Sequence, residues 1–182
     1  MNENLIKLNI NAKILSVIVA VFLIGPPLTY VLIFILHSGA RAFWSDFVSL
    51  DTMYFMTVLL LLYATHEILH VVGGMFAGAK ISSFKFGIDI DTLSLECYCR
   101  DKMSLRGLKL FTLLPFLVLT PLLAVMGYNS DSHLWWLMLA LSTSGCAYDL
   151  TLFVGLIGIP DHIRVFTDLE AVNGDVYVKV AS

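Results

Sequence analysis

The sequence predicts an all-α integral membrane protein: four transmembrane helices with a small β-hairpin between helices 2 and 3. Three observations carry this. Of the 182 residues, 58% are hydrophobic and only 14% charged, with a mean hydropathy of +0.85. A soluble domain needs roughly a quarter of its residues charged. The apolar residues fall in long uncharged runs, and about 20 helical residues cross the hydrocarbon core of a bilayer. The basic residues fall between those runs with a strong bias to one side. The net charge of −3 gives no argument for a nucleic-acid partner, none is expected, and the lipid bilayer is the expected surroundings.

The four spans are expected at about 14–36, 52–79, 108–126 and 134–159 of one membrane-embedded domain covering 1–182. Gly25-Pro26-Pro27 should kink or break the first span. The third contains Pro115 and Pro121, and the fourth ends at Pro160. The N-terminal run is too long for a cleaved signal peptide, and no small-residue cleavage pattern follows it. Ten of the eleven Lys and Arg residues lie before span 1, between spans 2 and 3, or after span 4; only Arg41 lies elsewhere. The positive-inside rule puts that majority side, and both termini, in the cytoplasm of a multi-pass plasma membrane protein. Trp44, Trp135 and Trp136 all fall at the opposite boundary, where aromatic belts sit.

Between spans 2 and 3, Ile81 to Ile88 and Thr92 to Cys99 alternate partly at period two around an acidic turn at Asp89 to Asp91. That is a β-hairpin signal over about 81–99, at the cytoplasmic membrane surface. The hairpin either covers the helix ends or offers an edge strand to an extended peptide. Cys97 and Cys99 lack the two further ligands of a zinc knuckle and read as structural. The tail, 161–182, reads as a surface cap whose Asn173-Gly174 pair favours a tight turn.

One stretch breaks the apolar pattern of span 2: "YATHEILHVVGG", residues 63–74. Each ionisable group at such a depth costs roughly 2.5–3.5 kcal/mol on insertion scales, so three together need a reason. His66-Glu67-Ile68-Leu69-His70 is H-E-x-x-H. On a helix, positions i and i+4 share a face, so both imidazoles can reach one metal ion. Glu67, about 100° further round, can lie beside a water at the metal without becoming a ligand. Hydrolysis needs that division: the metal acidifies water, and the carboxylate takes its proton and returns one to the leaving amine. The alternative is a pair of buried histidines hydrogen-bonded to Glu67 and nearby carbonyls.

A catalytic zinc site needs a third ligand. Between Asp131 and Asp161 the only charged residue is Asp149. His66 and His70 lie 15 and 19 residues past Asp51, and Asp149 lies 18 past Asp131. At about 1.5 Å per residue the three side chains reach one level in the cytoplasmic half of the bilayer. Coordination to a divalent cation would satisfy a carboxylate there; a helix–helix hydrogen bond or a proton relay are the alternatives. His162, 13 residues further on, is a poorer candidate. Ser142, Gly145 and Cys146 share a face with Asp149, while Gly73, Gly74, Ala77 and Gly78 follow His70. These small residues would let spans 2 and 4 approach closely.

"HEILH" in a span, a β-rich stretch, a proline-containing span and then "SGCAYD" resemble the membrane-embedded putative zincin peptidase family, over about Tyr63 to Leu150. The layout is similar to that of the site-2 intramembrane zinc metalloproteases. The resemblance implies His66, His70 and Asp149 as ligands of Zn²⁺ and Glu67 as the base. No asparagine lies near Asp149, so Ser142, Thr143 and Ser144 are the candidate hydroxyl donors to an oxyanion. Together these readings predict a zinc-dependent intramembrane or membrane-proximal endopeptidase. Its substrate would be a membrane-tethered or membrane-near peptide, cleaved near the cytoplasmic leaflet. The rival is a non-catalytic adaptor or peptide-binding protein with a structural metal. A metal or proton transporter ranks last, because no ladder of polar residues crosses the spans.

Overall fold

A computed structural model describes residues 5–39, 52–89, 94–130, 132–172 and 175–180. Arg41, Trp44, Asp51, Asp91, Asp131 and the Asn173-Gly174 pair lie outside them. Helix α1 spans Ala12–Ser38, α2 Thr52–Phe76, α3 Leu105–Asn129, α4 His133–Gly145 and α5 Ala147–Gly155. The helices α1, α2 and α3 are each long and apolar enough to cross a membrane, and α4 with α5 qualifies as a fourth if the bent pair counts as one span. Their outer faces are apolar, with Val21, Leu32, Leu60, Leu61, Leu122 and Val125 exposed.

Helix α1 is continuous through Pro26 and Pro27, so the chain does not break there. Two adjacent prolines remove only the amide bonds to the Phe22 and Leu23 carbonyls, a loss that membrane helices absorb. At its far end α1 is pinned to the start of α4. The Tyr30 hydroxyl donates to the His133 carbonyl at 3.3 Å, and the Phe34 ring meets the His133 ring edge-on at 4.3 Å.

Helix α2 ends three residues before the expected 79. Gly78 takes φ +90°, the left-handed conformation that glycine adopts freely. The Ala79 and Gly78 amides close back on the Gly74 and Met75 carbonyls at 3.0 and 2.9 Å. The small residues below His70 therefore serve other ends than the expected contact with span 4. Gly78 makes the turn, while Gly73 and Gly74 bring α2 against α3 and the hairpin. A Cβ on Gly73 would stand 3.0 Å from the Phe111 Cα and 3.3 Å from the Leu110 carbonyl oxygen. A Cβ on Gly107 would run into Ala77. Gly73→Val should therefore cost about 1–3 kcal/mol through forced separation of α2 from α3, read as a lowered unfolding midpoint in detergent.

The fourth apolar run is broken, not continuous to 159: α4 and α5 meet at Cys146 with a 41° bend, and helix ends at Gly155. "STSG" explains the break. The Thr143 and Ser144 hydroxyls bond the carbonyls four residues back at 2.8 and 2.9 Å. Such back-bonding bends helices, and Gly145 adds a poor helix former.

Strands β2 (Phe84–Asp89) and β3 (Ser94–Cys99) form the antiparallel hairpin expected between the second and third helices, with Phe86 opposite Cys97. It folds back along α2. Phe84 lies against Gly74, and two residues further along the pair Cys97 turns its backbone N–H toward Glu67, seven residues earlier on the helix. Burial, helped by the Glu67 charge, pushes the Cys97 thiol up to about 12, so it stays neutral. At the hairpin base the Asp101 carboxylate accepts from the Ser83 hydroxyl and the Lys80 amide, and both bonds hold it below the ordinary aspartate value.

The all-α expectation misses a second, four-stranded sheet ordered β1-β6-β5-β4, from β1 (Leu5–Asn11), β4 (Met103–Ser104), β5 (Arg164–Val172) and β6 (Asp175–Val180). Its neighbours are all antiparallel. The expected tail cap is thus half of a sheet completed by the N-terminal segment on one side and β4 on the other. A 2.6 Å ion pair of Lys109 with Asp161 ties the start of α3 to the segment after α5, holding that carboxyl below its usual range.

Two apolar clusters form the core. One gathers Leu105, Leu108, Phe111, Leu152 and Leu156 with the hairpin base. The other gathers Leu119, Leu123, Leu134 and Met138. On α2, Leu62 and Leu69 pack on the second and Val71 on the first, joined there by Ala77 just past the helix end. His70, between Leu69 and Val71, stacks on Phe111 of the first cluster.

Candidate metal centre

Three of the four site residues expected from sequence converge on one point. His66 Nε2 lies 3.2 Å from His70 Nε2 and 3.2 Å from Asp149 Oδ2, and His70 Nε2 lies 3.4 Å from the same oxygen. Helical spacing puts the two imidazoles on one face of α2, where they meet edge to face with ring centroids 4.9 Å apart. The break at Cys146 redirects the chain so that Asp149, in the first turn of α5, meets them. Among the described residues this is the one group of three His, Cys, Asp or Glu side chains close enough to share an ion. His162 is exposed and apart from it.

The proton inventory decides what such a triangle can hold. His70 Nδ1 lies 2.8 Å from the Phe111 carbonyl, which can only accept, so Nδ1 carries a proton. The Phe111 ring stacks on His70 at 4.7 Å and fixes its plane. In a neutral His70 the lone pair is then on Nε2, pointing at a carboxylate oxygen and at a second imidazole nitrogen. Acceptors set 3.2–3.4 Å apart in a mostly buried place repel unless a cation or extra protons stand between them. Tetrahedral ligands at zinc distances of roughly 2.0–2.1 Å are about 3.3 Å from one another. The three atoms match that edge length on every side.

Glu67 is not part of the triangle. It is 7% exposed, one residue round the helix, and its Oε2 is buried with no hydrogen-bond partner. Among the candidate oxyanion donors, Thr143 and Ser144 spend their hydroxyls on backbone carbonyls. Ser142 Oγ is buried without a partner.

Two contributors were not legible in the sequence. The Phe111 carbonyl is a backbone group and leaves no residue signature. Cys146 counted as a small packing residue, yet its Sγ stands 3.8 Å from His66 Nδ1; its place one turn before Asp149 in "SGCAYD" was the available hint.

Comparison with curated proteins and with solved structures finds no match. The family model described as "putative zincin peptidase" matches residues 59–164, more than half of the chain and all four site residues, and the protein belongs to that family.

Proposed function

We propose that the protein is a zinc-dependent endopeptidase of the membrane, with His66, His70 and Asp149 holding Zn²⁺ and Glu67 as general base. The triangle of acceptor atoms carries this reading, since its edges fit a tetrahedral ion and a cation at its centre relieves the repulsion among its lone pairs. Zinc, when bound there, supplies Lewis acidity that activates water and polarises a peptide carbonyl.

The protein's own residues do the rest. The Glu67 carboxylate accepts a proton from the attacking water as its oxygen bonds to the carbonyl carbon. It then delivers that proton to the leaving nitrogen as the C–N bond breaks. Burial keeps bulk water from competing for it. The unpartnered Glu67 Oε2 favours this role over a structural metal staple, which has no use for a free carboxylate oxygen at its side.

The substrate is a membrane-tethered or membrane-near peptide. A helix shields its own peptide bonds, so cleavage requires an extended segment. The hairpin is a two-stranded sheet, so among the described residues each strand has one edge that pairs with no other strand, and β3 runs beside Glu67. An extended substrate pairing with that edge would bring its backbone to the base. In this reading four spans cross the plasma membrane with both termini in the cytoplasm, and cleavage occurs near the cytoplasmic leaflet.

The test is metal dependence with purified protein in detergent and a single-span candidate substrate. About one zinc per chain is expected. Chelation should abolish cleavage and added zinc should restore it; cleavage that survives complete removal of metal would refute the proposal.

A further inference from the structure

We infer that Cys146 is a positioning residue for the metal centre: its sulfur accepts the Nδ1–H of His66 and so turns Nε2 to the metal. The inference rests on the metal reading above. When a metal occupies Nε2, the single proton of a neutral imidazole must be on Nδ1, and ligand histidines give that proton to a fixed acceptor. His70 gives its own to the Phe111 carbonyl at 2.8 Å. The partner that the structure offers His66 Nδ1 is Cys146 Sγ, at 3.8 Å, within reach for a sulfur acceptor.

Three features suit Cys146 to this. It is 0% exposed, so no bulk water competes for the imidazole proton. Its backbone is held from both sides, its amide bonding Ser142 O at 3.0 Å and its carbonyl accepting from Leu150 N at 2.9 Å. Its thiol makes no capping bond to α5, although it occupies the N-cap position, and is therefore left for His66. Asp149 follows three residues later. The first turn of α5 thus brackets one imidazole, with sulfur at Nδ1 and carboxylate at Nε2. A bend at this place in the fourth apolar run is what brings both atoms to the same ring.

The experiment measures zinc affinity by chelator competition for the full chain in detergent, as wild type, Cys146→Ala and Cys146→Ser. Ala and Ser both remove the sulfur and differ chiefly in an acceptor oxygen. Cys146→Ala should bind zinc about 10–100-fold more weakly, the usual effect of removing such a partner. Cys146→Ser should keep most of the affinity. Cobalt-loaded wild type should show no thiolate-to-cobalt charge-transfer band, since the sulfur lies behind His66 and not at the metal. Equal zinc affinity in wild type and Cys146→Ala would overturn the inference and leave the metal site intact. A strong charge-transfer band in wild type would overturn it too, by making Cys146 a ligand, and needs no variant that folds. A wild type that binds no zinc would remove the metal reading and this inference together.

Discussion

Glu67→Gln should lower kcat/KM for peptide cleavage by about 10²–10⁴-fold, the usual contribution of a positioned general base, while leaving one zinc per chain. The amide keeps the shape of the carboxylate but cannot take a proton from water. Glu67 is buried with an unpartnered oxygen, so neutralising it removes a desolvated charge and should leave the folded protein at least as stable. Loss of activity with retained metal and fold would separate a chemical role from a structural one. Equal cleavage by variant and wild type would sink the mechanism, because no other described carboxylate stands beside the two histidines except Asp149, which faces their Nε2 atoms.

The second large effect is expected at Asp149. In wild type, zinc at about a thousandfold above its dissociation constant should stabilise the folded state by about 4 kcal/mol. Asp149→Ala should lose most of that shift, since two histidines alone make a weak site. The chelated proteins give a sharper comparison. If Asp149 were only the partner of protonated histidines, removing it would strip a buried ion pair and cost roughly 3–5 kcal/mol without any metal. If it serves chiefly as a ligand, the metal-free wild type holds its three acceptor atoms together only by taking up protons, and the metal-free variant should lose much less than that. Unfolding midpoints of both proteins, with zinc and with chelator, decide between the two.

The site was more legible in the sequence than the fold around it. H-E-x-x-H is a local pattern, and helical geometry alone converts it into two imidazoles on one face. Asp149 could be found because a lone charge in an apolar run is conspicuous and its depth follows from counting residues. Its exact approach could not, because the bend at Cys146 depends on hydroxyls of Thr143 and Ser144 choosing carbonyls over solvent. The small residues after His70 were visible, but which neighbour they admit is a matter of tertiary packing: α3 and Phe84 took the place expected for the fourth span. The four-stranded sheet was missed although β1 shows its signal, with Ile6, Leu8 and Ile10 alternating with Lys7, Asn9 and Asn11. A strand of seven residues needs a partner, and its partner lies more than 160 positions away.

That pairing has a consequence for how the protein is made. β1 emerges from the ribosome before any of the helices, and β6 only after all of them. The register Leu5 to Lys179 can therefore form only once the helices have been handed to the membrane. Such a long-range closure is slow, since its loop entropy is met before any contact rewards it. Until then β1 is a bare strand edge, the kind of surface that chaperones hold and that neighbouring nascent chains can capture. A chain truncated before Asp175 would keep its metal residues and its helices, yet remain permanently in that unclasped state.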